Sequence, residues 1–194
     1  MPLRNSAVIF LTMPKRLPEI CFRRSFPLYL AAMVLFLPGS WLISAWFAAL
    51  FHEICHLAAL IFLRHPVRRI ILSASGAEIA TEPMRPSHEL ICALAGPLGG
   101  MSLLLFAKQW PMVAVCAWIH SLYNLLPIYP SDGGRALRCG LTLVGFREEL
   151  ADWMEIITLS MLLAICVWAS LRFTFGPIPL VCGILMAIPA VRKK

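Results

Sequence analysis

The stretch "WFAALFHEICHLAALIF", residues 46–62, sets two histidines and a glutamate within five positions of an otherwise apolar run. Its composition is that of a helix lying in lipid. An ionisable side chain at bilayer depth costs roughly 2.5 to 3.5 kcal/mol on insertion scales, so one kept there marks a functional position. In a helix, His52 and His56 stand on one face about a turn apart, the spacing of two zinc ligands. Glu53 lies where the general base of an HExxH site stands. HExxH also arises by chance on charged surfaces of soluble helices, and it is the apolar setting that separates this instance from those.

The setting extends to the whole chain. Of 194 residues, 60% are hydrophobic and 14% charged, against about half and a quarter in soluble domains. The composition is that of an integral, multi-pass membrane protein in a lipid bilayer. A net charge of +7 raises nucleic acid as a partner, but the basic residues punctuate the apolar runs instead of clustering, so they read as topology signals and no nucleic acid is expected. The seven cysteines form no CxxC pair and sit mostly in apolar runs, where cysteine acts as a small hydrophobe. Residues 1–25 read as a basic cytoplasmic leader, because the apolar run Ala7 to Met13 ends at Pro14 and offers no small-residue cleavage site. Residues 26–194 form the membrane core.

Apolar stretches bounded by proline, glycine and charge predict an all-α polytopic protein with about six transmembrane helices, near 26–37, 41–63, 87–107, 110–126, 150–171 and 175–190. Between the second and third, "VRRIILSASGAEIATEP" (67–83) has β-branched residues on both sides of a Ser-Gly signal and reads as a short membrane-associated β-hairpin, with Gly76 permitting its turn. Counting Lys and Arg in alternate connections gives 15 against 2. The positive-inside rule then places both termini, the second loop and the fourth loop in the cytoplasm.

A catalytic zinc takes three protein ligands and keeps one position open. The acids in or against apolar spans are Asp132, Glu89 and the group Glu148, Glu149, Asp152 and Glu155. Asp132 sits in "NLLPIYPSDGGRAL" (124–137), where Pro127 and Pro130 stop the fourth helix and Gly133-Gly134 let the backbone bend around the carboxylate. Taken alone, the stretch is an ordinary solvated turn. The second and fourth helices both run from outside to inside, however, which brings Asp132 to the depth of HExxH and favours it as third ligand.

"HEICH", "ELICALAGPLGG" (89–100) and "NLLPIYPSDGGRAL" together resemble the site-2 protease family of intramembrane zinc metalloproteases, in particular the compact branch that includes the stage IV sporulation protease. The similarity covers roughly residues 26 to 190. It implies one zinc per chain held by His52, His56 and Asp132, Glu53 as catalytic base, and hydrolysis of a peptide bond within or near a transmembrane segment of a membrane-protein substrate, as in regulated intramembrane proteolysis in a bacterial cell membrane. It also implies that the hairpin is an edge able to pair with an unwound substrate. The chain departs from the family at Cys55, where many members carry glycine, at Gly99 and Gly100, where asparagine is frequent, and at Ser131, where leucine is common.

Asn124 is a candidate for oxyanion or substrate-backbone contact, with a helix-end cap as its plain alternative. Gly76 belongs to the candidate substrate edge, which otherwise is an interfacial loop. His120, one turn before Asn124, either shares the cavity or packs as a core histidine. Two other functions remain open: a non-catalytic zinc-binding membrane protein that binds or regulates another membrane protein, and a metal transporter. Glu53 argues against the first, since structural zinc needs no base, and the concentration of polar residues at one depth argues against the second. A membrane-bound regulator is a further expected partner.

Overall fold

The computed structural model describes residues 18–73, 76–172 and 183–184. Nine regular elements follow in order: β1 (Glu19–Phe22), α1 (Ser25–Phe36), α2 (Gly39–Phe62), β2 (Val67–Ser73), β3 (Gly76–Thr81), α3 (Pro86–Ser102), α4 (Pro111–Asn124), α5 (Asp132–Val144) and α6 (Glu148–Arg172). A 3-10 turn, Leu103–Phe106, prolongs α3.

The largest helices are built inside out. Along α2 the buried residues are Ser44, Ala48, His52, His56 and Leu60, a strict four-residue stripe, while Trp46, Phe47, Leu50, Ile54 and Ile61 point outward. Burying the small and polar face suits a chain whose surroundings are lipid, because a bilayer offers apolar side chains as good an environment as a protein core does. Small residues let the backbones approach: α3 buries Cys92, Ala93, Gly96, Pro97 and Gly100, and α4 buries Ala114, Ala117 and Ser121. On these faces α3 packs against α2 and α5, and α2 also against α4.

Among the described residues, three helical segments are long and apolar enough to cross a membrane: Gly39–Phe62, Pro86–Phe106 and Glu149–Arg172. Of the six expected spans, three meet that length and composition among the described residues. α1 has 12 residues and α4 has 14, so at 1.5 Å per residue even α4 is only about 21 Å long, short of a hydrocarbon core of about 30 Å. The expected span at 175–190 falls almost wholly outside the described residues.

The expected hairpin is present, and it is part of a larger sheet. β2 pairs antiparallel with β3, Leu72 opposite Ala77 and Ile70 opposite Ile79. On its other side β2 pairs in parallel with β1, Ile20 opposite Ile70. The leader stretch 1–25 thus supplies a strand. The order β1-β2-β3 leaves β3 as an edge with no strand on its outer side among the described residues.

The second addition is α5. It starts on Ser131, whose hydroxyl accepts from the Gly134 amide, and stops at Gly145 in the left-handed region (φ 85°), a serine N-cap and a glycine C-terminus. Asp132 is therefore the first residue of a helix and not a turn residue. Gly133 and Gly134 are required by close approach: a Cβ on Gly133 would stand 2.1 Å from the Leu125 carbonyl oxygen, and one on Gly134 would stand 2.6 Å from the Tyr129 nitrogen.

Candidate metal centre

The α2 stripe aims both imidazoles at the same point, and α5 brings Asp132 to it. His52 Nε2 and His56 Nε2 each lie 3.0 Å from Asp132 Oδ2 and 3.0 Å from each other. His52 is 2% exposed and Asp132 8%, so water screens this cluster little.

The donor set fits a cation. His56 Nδ1 donates to the Cys92 carbonyl at 2.7 Å, so in the neutral ring Nε2 bears only a lone pair. That lone pair faces a carboxylate oxygen and a second imidazole nitrogen, an arrangement that repels unless a positive charge lies among the three atoms. Zinc–ligand bonds of about 2.0–2.1 Å in a tetrahedral site put ligand atoms about 3.3 Å apart, and a small ring rotation opens 3.0 Å to that value. Two histidines and one carboxylate are also the three-ligand set of catalytic zinc, with a fourth position left open. Among the described residues this is the sole cluster of three or more His, Cys, Asp or Glu groups able to hold a metal.

The space beside the ligands depends on one residue. A Cβ on Gly96 would stand 2.2 Å from His56 Nε2 and 2.7 Å from His52 Nε2, so any other side chain there occupies the centre itself.

Asp132 is held from several sides. Arg135 lies 4.0 Å from its Oδ1 and 3.4 Å from Glu89. The preceding turn is fixed by Glu155 of α6: its Oε1 accepts from the Tyr129 amide at 3.1 Å, and its Oε2 accepts from Arg138 at 2.9 Å. Arg138 also bonds Asp152 at 2.7 Å and covers the Tyr129 ring at 5.4 Å. Ser131 Oγ donates within the same turn to the Leu126 and Ile128 carbonyls at 2.6 and 2.7 Å.

Glu53 lies next to the triangle, half-buried, and its carboxylate is hydrogen-bonded by the backbone of Ala77 on edge strand β3. Gly76, with φ 114°, precedes Ala77 in a conformation that disfavours other residues. Asn124 turns back onto its own helix, donating from Nδ2 to the His120 carbonyl at 3.0 Å. His120 stacks edge-on against His52 with ring centroids 4.7 Å apart.

Four features of the site were not singled out by sequence reasoning: the space-making Gly96, the Cys92 carbonyl, the Arg135–Glu89 pair and Glu155. For Glu155 there was a signal, a carboxylate inside an apolar helix with an arginine able to reach it. A backbone carbonyl leaves no mark in a sequence.

No protein-family model matches the sequence, and no curated protein matches it. Among solved structures the fold is similar to that of the site-2 protease from Methanocaldococcus jannaschii, with a TM-score of 0.61 and 18% identity over 89% of each chain. At that identity the likeness is one of fold.

Proposed function

We propose that this chain is an intramembrane zinc metalloprotease of the site-2 protease type, one zinc per chain, cutting a peptide bond within or near a transmembrane segment of a membrane-protein substrate. The observation that carries the reading is the buried His52–His56–Asp132 triangle with Glu53 beside it; the fold likeness supports it.

His52, His56 and Asp132 hold the ion. When bound, it supplies Lewis acidity that polarises a carbonyl and acidifies a water molecule. The remaining work belongs to the chain. A peptide in lipid hides its carbonyls in its own helix, so cleavage requires an extended segment, and the outer side of β3 offers a strand's row of amides and carbonyls to receive one. Glu53 takes the proton from water as its oxygen attacks the carbonyl carbon. As the C–N bond breaks, Glu53 returns that proton to the departing amine. Asn124 is a candidate donor to substrate, on release from the His120 carbonyl. A six-span arrangement with both termini cytoplasmic is supported by the 15-to-2 split of basic residues, and a bacterial cell membrane and a membrane-bound regulator are part of the proposal.

The test is cleavage of single-span membrane substrates by the purified protein in liposomes, with zinc content measured alongside, for the native chain and Glu53→Gln. Cutting by the native chain alone, with zinc kept by both, is the expected result. Zinc retained by both with no cutting of any substrate favours the non-catalytic zinc-binding alternative, and no zinc in either overturns the metal centre.

A further inference from the structure

The two histidines of the triangle are supported unequally. A histidine that binds a metal through one ring nitrogen almost always donates from the other to an oxygen that fixes its tautomer and tilt. His56 has that oxygen, the Cys92 carbonyl. His52 does not: its Nδ1 is buried, and no protein group among the described residues hydrogen-bonds it. Two other buried polar atoms share the condition, Ser121 Oγ and His120 Nε2.

These are not scattered. The point where a Cβ on Gly100 would stand lies 2.4 Å from Ser121 Oγ and 3.8 Å from His52 Nδ1, so the Ser121 hydroxyl takes the room that the missing side chain leaves, and both unsatisfied atoms converge on Gly100. Ser121 is fully buried, and its partners His52 and Gly100 come from the two helices that α4 packs against. A hydroxyl so placed is rarely left unsatisfied, and two unsatisfied buried polar atoms that converge on one point are the kind of pair that a buried water bridges. The plain reading of Ser121 is a small residue that permits close helix packing; alanine would serve that purpose without burying a polar atom.

Resting on the metal centre proposed above, we infer that Ser121 is the positioning residue of His52, acting through one water held beside Gly100 that accepts from His52 Nδ1 and bonds Ser121 Oγ. His120, stacked edge-on at an interplanar angle of 88°, sets the tilt of the same ring. The serine thereby commits His52 to the tautomer that presents a bare Nε2 to the ion, the service that the Cys92 carbonyl performs for His56.

The experiment is metal affinity of the full-length protein in detergent, by competition with a chromophoric chelator, together with the visible spectrum of the cobalt(II)-loaded form. Ser121→Ala, Ser121→Thr and Gly100→Ala are compared with the native chain, and unfolding of the metal-free forms serves as control. Ser121→Ala and Gly100→Ala, the latter pushing the Ser121 hydroxyl aside, are expected to weaken binding by about 10- to 100-fold and to shift the cobalt bands. Ser121→Thr, which keeps the hydroxyl, retains most of the affinity. Native-like affinity and spectrum in Ser121→Ala overturn the inference while leaving the metal centre intact. If the native chain binds neither zinc nor cobalt, both fall together.

Discussion

α2 and α6 are nearly equal in length, 24 and 25 residues, and both are apolar enough to span a bilayer, yet they do opposite things. α2 buries five residues in one stripe and carries two ligands on it. α6 buries only Ala151 among its described side chains, meets the site through Asp152 and Glu155 in its first turns, and presents Met161, Ile165, Trp168 and Leu171 outward. Average hydropathy does not distinguish them. The difference is in the buried face: small and polar residues at every fourth position in α2, and Ala151 alone among the described side chains of α6. In lipid the informative residue is the one that does not belong there.

If α2 is the chemical helix and α6 the supporting one, substitutions should rank accordingly. The largest effect is expected at the triangle: His56→Ala or Asp132→Ala should abolish both stoichiometric zinc and cleavage. Gly96→Ala should do nearly the same from a neighbouring helix without touching a ligand, since its Cβ falls between the two ring nitrogens. Zinc analysis of the purified variants decides both.

Glu53→Gln sharpens the comparison within α2. It should keep its zinc and lose about 10²- to 10⁴-fold in cleavage rate, the usual contribution of a general base. A variant that loses its zinc instead would make Glu53 a part of the metal-holding machinery.

On α6, Glu155→Ala leaves the Tyr129 amide without its acceptor and removes one of the two carboxylates on Arg138, a loss of about 1–3 kcal/mol. It should lower the unfolding temperature and, through the turn before Asp132, metal affinity as well. Further out on the same helix, Ile165→Leu should lie within about 0.5 kcal/mol of native. A large loss there would mean that the outward face of α6 is packed against something other than lipid.

Much of the site was legible because its signals are local. HExxH stands in four consecutive turns of apolar sequence, and Asp132 follows a predicted helix whose proline and glycine stops stand in the sequence. The hairpin was legible from its β-branched flanks. What escaped depends on partners distant in sequence. β1 is four residues between Pro18 and Arg23, too short to declare itself, and becomes a strand because β2 offers an edge to it. α5 has one polar face and so forms no apolar run, although Ser131 and Gly145 mark its ends. The Cys55 and Gly99 departures explain each other only in three dimensions: a Cβ on Gly99 would stand 2.2 Å from Cys55 Sγ, so bulk on α2 is received by its absence on α3. Gly99→Ala alone should destabilise by about 1–3 kcal/mol, and Cys55→Gly should recover it.

The bond between the Ala77 backbone and Glu53 turns the edge strand into a ruler. Amides alternate sides along a strand, so sliding β3 by one residue would turn the Ala77 amide away and present a group of the opposite orientation to the carboxylate. Side chains of β2 and β3, Gly76 aside, can therefore change with little consequence for this contact, provided that the count is kept. A single-residue insertion or deletion within Ile70–Leu72, which pairs with β3 without a break, is the change it cannot absorb.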